Sequence, residues 1–247
     1  MIDVSHYLAS LNQCFPGWGG ERMFEWAFRG ADFLMDESGD AGSALTHRNV
    51  ALAGESTTIR VAIMTGSWTL PAARGRGLFS RMIDRSQEVA RTRDARLLLA
   101  FVTTTNSSCG RLAAAGASMI PTFYCNGSLS RPIQTPRLEP AARFVYSDEE
   151  WRRQFLERPV STRLITSDSW SAVIEDTDDR RRVHSIEGDF DAAVPALGEF
   201  FCFTTVTSRA EALAASGFTI TNGHLAILPI SAEIVPISWH IQNGDRM

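Results

Sequence analysis

A strand-like run that stops at a proline and leads through an arginine–glycine loop into an amphipathic helix constrains this sequence most. Residues 58–70 are rich in apolar and β-branched side chains, and Pro71 has no N–H with which to continue a sheet. From residue 78 onwards apolar side chains recur at helical spacing, with charged residues on the opposite face. The apolar face carries Leu78, Phe79, Met82, Ile83, Val89 and Ala90. The pattern predicts a strand, a tight turn and a helix.

The turn itself, Arg74-Gly75-Arg76-Gly77, has the chemistry of a phosphate-binding loop. Free backbone N–H groups at a helix start point outwards, and the helix dipole adds positive potential there. Glycines let a phosphate approach the main chain, while Arg74 and Arg76 add cationic side chains. The segment therefore suits a ligand that carries a diphosphate.

Two familiar nucleotide-binding classes do not fit. A dinucleotide-binding fold needs a third glycine, where this chain has Ser80, and an acidic residue at the end of the next strand, where it has Thr103–Thr105. All 24 basic residues are arginine. The lack of lysine excludes phosphate-loop NTPases, protein kinases and Schiff-base enzymes, and Met64 stands where a kinase would place its lysine.

Composition and net charge argue against several kinds of partner. The 247 residues are 44% hydrophobic and 21% charged, as expected of a globular protein, and the formal net charge is −4. Acidic balance argues against nucleic acid as a partner. No 18-residue apolar run or signal peptide is present, so we expect a cytoplasmic protein without membrane association. The four cysteines, Cys14, Cys109, Cys125 and Cys202, are widely spaced, which indicates reduced thiols and no metal site.

The second part of the chain echoes the first. Residues 103–119 align with residues 204–220 at a constant offset of 101, and seven of the 17 pairs are identical. Each segment predicts a strand, a small-residue helix ended by Gly116 or Gly217, and another strand. The alternative is that strand–helix–strand units drawn from Ala, Thr and Gly share identities by composition. We favour internal duplication.

The loop and its surroundings resemble the GNAT acyltransferase family. Its signature, [Q/R]-x-x-G-x-[G/A], lies between the fourth strand and the following helix, and residues 74–77 match its first four positions. The last position is Phe79 instead of a small residue. Downstream the likeness continues through a buried strand, Asn106 at the start of a short helix, and a further strand, so that it covers residues 59–124.

The resemblance implies an acyl-CoA, most commonly acetyl-CoA, as co-substrate and an amine as acceptor. In family terms the pantetheine arm pairs with the fourth strand, the pyrophosphate binds the loop amides, and the asparagine contacts the coenzyme. The implied binding residues are Trp68, Thr69, Leu70, Arg74, Gly75, Arg76, Gly77, Leu78, Phe79, Ser80 and Asn106.

The acid and base residues are less well marked. Many family members carry a tyrosine acid in the helix after the asparagine, but Ala113 occupies that position here. Tyr124, on the next predicted strand, is the nearest substitute and our candidate catalytic residue, although a buried structural tyrosine is the alternative. The predicted fourth strand carries no carboxylate, so proximity of amine and thioester is expected to supply much of the catalysis.

Together these features predict an α/β (α+β) protein with a GNAT-like mixed twisted sheet flanked by helices. We predict an acyl-CoA-binding domain at residues 1–130, a proline-rich linker at 131–140 and a degenerate GNAT-like copy at 141–247. The expected function is N-acyl transfer to a small-molecule amine such as an amino sugar or a natural-product intermediate. The alternatives are a non-catalytic CoA-binding module and a structural protein. Nothing in the sequence indicates the oligomeric state.

Overall fold

The chain folds around one large sheet with helices packed on its faces. The computed structural model describes residues 3–53, 55, 57–231, 235–236 and 238–246. The helices are α1 (Val4–Cys14), α2 (Glu21–Ala27), α3 (Leu78–Thr92), α4 (Ser107–Ala114), α5 (Asp148–Phe155), α6 (Phe190–Leu197) and α7 (Thr207–Ala215). The strands are β1 (Asp32–Met35), β2 (Ala41–Ala51), β3 (Thr58–Thr69), β4 (Leu97–Thr103), β5 (Ser118–Gly127), β6 (Arg143–Val145), β7 (Thr162–Thr166), β8 (Trp170–Asp176), β9 (Arg181–Gly188), β10 (Phe200–Thr204) and β11 (Thr219–Pro229). The predicted α/β class is confirmed.

The order of the strands is β1-β2-β3-β4-β11-β5-β10-β9-β8-β7, and β6 pairs with the last three residues of β2, Asn49 to Ala51. The sheet is mixed, because β3 runs parallel to β4 and β10 parallel to β9 while the other pairs are antiparallel. Helix α3 makes the crossover between β3 and β4, and its apolar face packs on the sheet through Leu78, Met82 and Ile83. This crossover confirms the strand–turn–helix pattern read from the sequence.

Strand β11, from the second half of the chain, lies between two strands of the first half and so joins both halves in one sheet. It lies between β4 and β5, with His224 opposite Val102 on one side and opposite Pro121 on the other. Strand β5 in turn lies between β11 and β10. The segments β4–α4–β5 and β10–α7–β11 thus share the same order of elements and interleave their last strands. The division into two domains remains a prediction.

The amino-terminal helices form an aromatic cluster beside β3. Tyr7, Phe24, Phe28 and Trp68 are each less than 5% exposed and pack together with Leu11 and Ala27. Their rings meet mostly edge to face, as the quadrupoles of aromatic rings favour. The cluster fixes α1 and α2 against the end of β3 that precedes the arginine–glycine loop.

Strands β3 and β4 diverge beside this cluster. They pair in parallel from Val61/Leu97 to Met64/Ala100, and β3 then continues for five residues without a partner in β4. The divergence coincides with a bulge, since β3 has two residues, and β2 only one, between the pairs Thr65/Ala44 and Trp68/Gly42. A cleft opens where the two strands separate.

One predicted element is absent. The alternation of polar and apolar side chains at residues 238–241 predicts a closing strand, but Trp239 makes only an isolated bridge to Ala142. Trp239 and Ile241 are instead buried as core residues of an extended segment. The side chains alternate as expected, but the short segment pairs at one residue only, and Ile237 lies outside the described residues.

Candidate active site

The arginine–glycine loop presents an uncapped helix start to solvent. Gly77 precedes α3 with φ +74°, and Gly75 has φ +82°, so both occupy the left-handed region that favours glycine. No side chain caps α3, and within the described chain the N–H groups of residues 75–80 have no hydrogen-bond acceptor. Residues 74–77 are exposed. The loop is thus a ready site for an anion such as a diphosphate.

A cavity of about 620 Å³ lies over this loop and brings together most of the residues singled out in the sequence. Nine of the eleven predicted binding residues line it: Trp68, Thr69, Arg74, Gly75, Gly77, Leu78, Phe79, Ser80 and Asn106. Two do not. Arg76 forms a 2.9 Å ion pair with Asp40, and the N–H of Leu70 donates to the carbonyl of the same aspartate.

The side chains of two of these residues are engaged elsewhere in the protein. The Trp68 indole is buried in the aromatic cluster, and the predicted contact with an arm of the coenzyme concerned the strand rather than this side chain. The Oδ1 atom of Asn106 accepts a 3.0 Å hydrogen bond from the N–H of Ser108 and thereby caps α4. Asn106 nevertheless lines the cavity at the open end of β4.

A second cavity, of about 580 Å³, adjoins the first through the separation of β3 and β4. Five residues line both: Phe15, Ser67, Phe79, Asn106 and Ser108. The amino-terminal wall is largely apolar and includes Leu11, Trp18 and Met23. The opposite wall comes from β8, β9 and the carboxy-terminal turn and is charged. The two cavities form one cleft with a loop end and a charged end.

A chain of polar side chains runs along the charged wall. Nη1 of Arg182 lies 3.7 Å from Oε1 of Glu175, and the other oxygen of Glu175 is 2.9 Å from Nε2 of His184. Nδ1 of His184 lies 3.1 Å from the Asn243 amide nitrogen, and Nη1 of Arg246 donates to Oδ1 of Asn243 at 3.4 Å. All five residues line the 580 Å³ cavity.

The charge states along this wall follow from its contacts. The Asn243 amide can only donate to His184 Nδ1, so His184 carries its proton on Nε2 and donates it to Glu175. Burial lowers the pKa of His184, and the hydrogen bond from His184 lowers the pKa of Glu175. The pair is therefore a neutral imidazole and a carboxylate at neutral pH.

Tyr124, the predicted catalytic residue, lies on β5 and does not line either cavity. Its ring packs edge to face on Phe203 at 5.2 Å, and the guanidinium of Arg246 lies 4.8 Å from the ring centroid. Arg246 lines the cleft, so Tyr124 contacts a residue of the cavity wall without lining the cavity itself. Its role as a proton donor remains a prediction.

Two acidic residues near β1, Asp32 and Asp36, lie away from the cleft. Asp32 pairs with His47 at 2.9 Å and with Arg93, and these contacts hold β1, β2 and α3 together. The Arg93 guanidinium lowers the pKa of Asp32. Asp36 accepts from the Ala41 N–H and closes the turn between β1 and β2. These carboxylates stabilise the fold near the loop and do not line the two cavities.

Sequence reasoning missed the far wall of the cleft. Glu175 and His184 occupy adjacent strands of a hairpin, and their approach depends on the pairing register, in which Glu175 faces Arg182. The only available signal was a glutamate and a histidine at apolar positions of β8 and β9. Phe15 and Cys14, at the end of α1, also reach the loop cavity without a motif.

No group of three or more His, Cys, Asp or Glu side chains able to hold a metal ion occurs among the described residues. In the same part of the chain no helix is long and apolar enough to span a membrane.

Comparison with solved structures defines the fold. A GCN5-related N-acetyltransferase from Kribbella flavida superposes with a TM-score of 0.63 at 12% identity, covering 92% of this chain and 70% of that one. A GCN5-related N-acetyltransferase from Anabaena variabilis gives 0.63 at 15% identity with the same coverages. One from Sphaerobacter thermophilus gives 0.55 at 13% identity over 93% of both chains. No protein-family model and no curated protein matches the sequence.

An uncapped helix start between two diverging parallel strands defines the class as an α/β protein with a cleft at the open end of its sheet. More narrowly, the fold is GNAT-like, as the resemblance in residues 59–124 predicted.

Proposed function

We propose that this protein is an acyl-CoA-dependent N-acyltransferase, with acetyl-CoA as the donor and a small-molecule amine as the acceptor. The observation that carries the proposal is the row of unpaired N–H groups at residues 75–80, which lies in a cavity open to solvent. Arg74 adds a cationic side chain to that cavity. A diphosphate is the part of a coenzyme that such a row of amides binds best.

The diverging strands suit the rest of such a donor. Beyond Met64 the edge of β3 that faces β4 has no partner strand, so its backbone groups can pair with an extended amide-containing arm. A bound acyl-CoA supplies a thioester, whose acyl carbon accepts the amine to give an amide and a free thiol. In this arrangement residues Ser67 and Asn106, which line both cavities, lie where donor and acceptor meet.

The protein's own contribution to the chemistry is chiefly positional. Holding two reactants in an attack geometry is worth about 7–11 kcal/mol of the barrier. Glu175 is a poor general base because its pKa is lowered, so we assign proton removal from the ammonium to solvent in the open cleft. Tyr124 remains the candidate donor to the leaving thiolate, and the Arg246 guanidinium lies 4.8 Å from its ring.

We also propose one coenzyme site per chain. Helix α6 corresponds in order to α3, yet the carboxylate of Asp189 caps its start by accepting from the Ala192 N–H. A carboxylate at that position occupies the helix start and repels a phosphate. In α3 the equivalent position is Gly77, which leaves the helix start open.

Two measurements test the proposal. Isothermal titration with CoA is expected to give a stoichiometry of one, and thiol release from acetyl-CoA is expected in the presence of an accepted amine. CoA binding without turnover of any amine would favour the non-catalytic CoA-binding alternative. Absence of CoA binding would contradict the proposal and favour a structural role.

A further inference from the structure

The charged wall of the cleft indicates what kind of amine the protein accepts. Four guanidinium groups, those of Arg158, Arg180, Arg182 and Arg246, line the 580 Å³ cavity, and Glu175 is the one carboxylate among the described residues lining it. His184 is neutral there. The cavity end that faces away from the loop is therefore cationic, although the whole chain carries a formal charge of −4.

From this wall we infer that the acceptor amine carries an anionic oxyacid group, a carboxylate or a phosphate, which binds between Arg182 and Arg246. The inference rests on the proposed function for the chemistry of the amine, but the anion subsite stands on its own geometry. Arginine is suited to it because its planar fork matches the oxygens of carboxylates and phosphates.

The two arginines are held by a built network. The polar chain from Arg182 through Glu175, His184 and Asn243 to Arg246 has a guanidinium at each end. Its middle is rigid, because Glu175 is 5% exposed and His184 is 2% exposed. The hydrogen bond to Asn243 and the contact with the Phe203 ring orient the Arg246 guanidinium before a ligand arrives, which lowers the entropic cost of binding.

Neither terminal arginine is fully neutralised by the chain. Arg182 is 43% exposed and approaches Glu175 only at 3.7 Å, beyond a hydrogen bond. Arg246 forms no ion pair within the described residues, and its Nε atom is buried without a hydrogen-bond partner. Its guanidinium stacks on Phe203 at 4.5 Å, which orients the group without satisfying its donors. A buried donor without a partner is costly, so an oxyanion is the expected complement.

The experiment uses matched acceptors that differ in charge. Thiol release from acetyl-CoA is measured with each proteinogenic L-amino acid alongside its C-terminal amide, and with O-phosphoethanolamine alongside ethanolamine. We expect at least one anionic acceptor to exceed its neutral partner tenfold or more in kcat/KM. The amino acid pairs report a carboxylate and the phosphoethanolamine pair a phosphate. Equal or greater activity with every neutral partner would overturn the inference.

Variants of the two arginines test whether they cause the preference for anionic acceptors. Arg182→Gln is expected to lower kcat/KM for the preferred anionic acceptor about 10- to 100-fold, as the loss of a charged hydrogen bond implies. The ratio of kcat/KM for the anionic acceptor to kcat/KM for its neutral partner should fall towards one. Arg163→Gln, at an exposed ion pair on β7 that does not line the cleft, is the matched control. Arg246→Gln repeats the test from the other end of the network.

CoA titration separates the two proposals. Arg182→Gln should bind CoA as tightly as the parent, because Arg182 does not line the loop cavity. Normal CoA binding together with indifference to acceptor charge would overturn the anion subsite alone. If CoA fails to bind, titration of the same acceptor pairs into the free protein becomes the test. Equal affinity for both members of every pair, or no binding of either, would then overturn it.

Discussion

The hydroxyl of Tyr7 donates a 2.9 Å hydrogen bond to the carbonyl of Gly66, across 59 residues of sequence. Gly66 lies in the bulge of β3 with φ +52°, where the strand leaves its partner β4. Tyr7 is fully buried, and burial raises the pKa of its hydroxyl, so it stays a neutral donor. A residue of the first helix thereby fixes the point at which the cleft opens.

Tyr7→Phe is expected to destabilise the protein by about 1 kcal/mol, because it removes the hydrogen bond to the half-buried carbonyl of Gly66. The ring contacts with Phe24 and Trp68 remain, so the fold should persist. Urea unfolding measures the change. CoA affinity should also fall, since the bulge is less firmly held. A variant as stable as the parent would mean that water or another group satisfies the carbonyl.

Gly66→Ala should be more damaging. A Cβ at Gly66 would lie 2.4 Å from Cζ of Phe28, and its positive φ adds strain. Overpacking and strain together predict a loss of about 2–4 kcal/mol in the free energy of unfolding. Gly116→Ala is the matched control, because Gly116 has φ +88° with open space around it and should lose about 1 kcal/mol. Equal losses in the two variants would show that the Phe28 contact does not matter.

Gly77→Glu tests the anion-binding loop directly. The new side chain would place a negative charge at the uncapped start of α3, and CoA affinity should fall at least tenfold, or ~1.4 kcal/mol. Gly30→Glu is the control for backbone strain, since Gly30 has φ +69° and open surroundings in a turn that lines neither cavity. Titration with CoA compares the two. Unchanged affinity in Gly77→Glu would remove the loop from the coenzyme site.

Asp245 predicts a pH dependence of stability. It is 7% exposed and accepts hydrogen bonds from Tyr146 and from the Gln242 N–H, yet burial raises its pKa from 3.8 to about 6. The folded state therefore holds this proton more tightly than the unfolded state. The resulting stability is complete below about pH 4 and is lost as the pH rises through 6, at most about 3 kcal/mol. Unfolding of Asp245→Asn and the parent from pH 4 to 7 should show the variant gaining relative stability with pH. A constant difference would contradict the shift.

His240 acts in the opposite direction over the same range. Burial, with Arg209 and Arg143 nearby, lowers its pKa from 6.5 to about 4. Its contribution is therefore present above pH 6.5 and lost as the pH falls through 4, again about 3 kcal/mol at most. His240→Gln should gain stability relative to the parent on acidification, as measured by the same unfolding series. Parallel curves for parent and variant would mean that His240 titrates normally.

The loop was predictable from sequence because local rules govern it. Pro71 ends the strand, Gly75 and Gly77 permit positive φ, and the apolar spacing after Leu78 specifies α3. Each of these depends on neighbouring residues only. For the same reason nine of the eleven predicted binding residues line one cavity.

The positions that sequence reasoning did not place depend on contacts between distant residues. Arg76 was expected beside the phosphate, but its guanidinium donates a hydrogen bond to Asp40, 36 residues earlier. Glu175 and His184 meet only through strand register, and Arg246 reaches the cleft from the carboxy-terminal turn. Tertiary pairing decides these positions, and one sequence does not encode it in any local pattern.

The interleaving of β11 has a consequence for synthesis. Strands β4 and β5 are made first, but β11, which lies between them in the sheet, is absent until residues 219–229 have been translated. Until then the nascent polypeptide presents two long unpaired edges, which are templates for wrong pairing. The loop between β3 and α3 therefore acquires its complete supporting sheet only after residues 219–229 have been made, long after the loop itself.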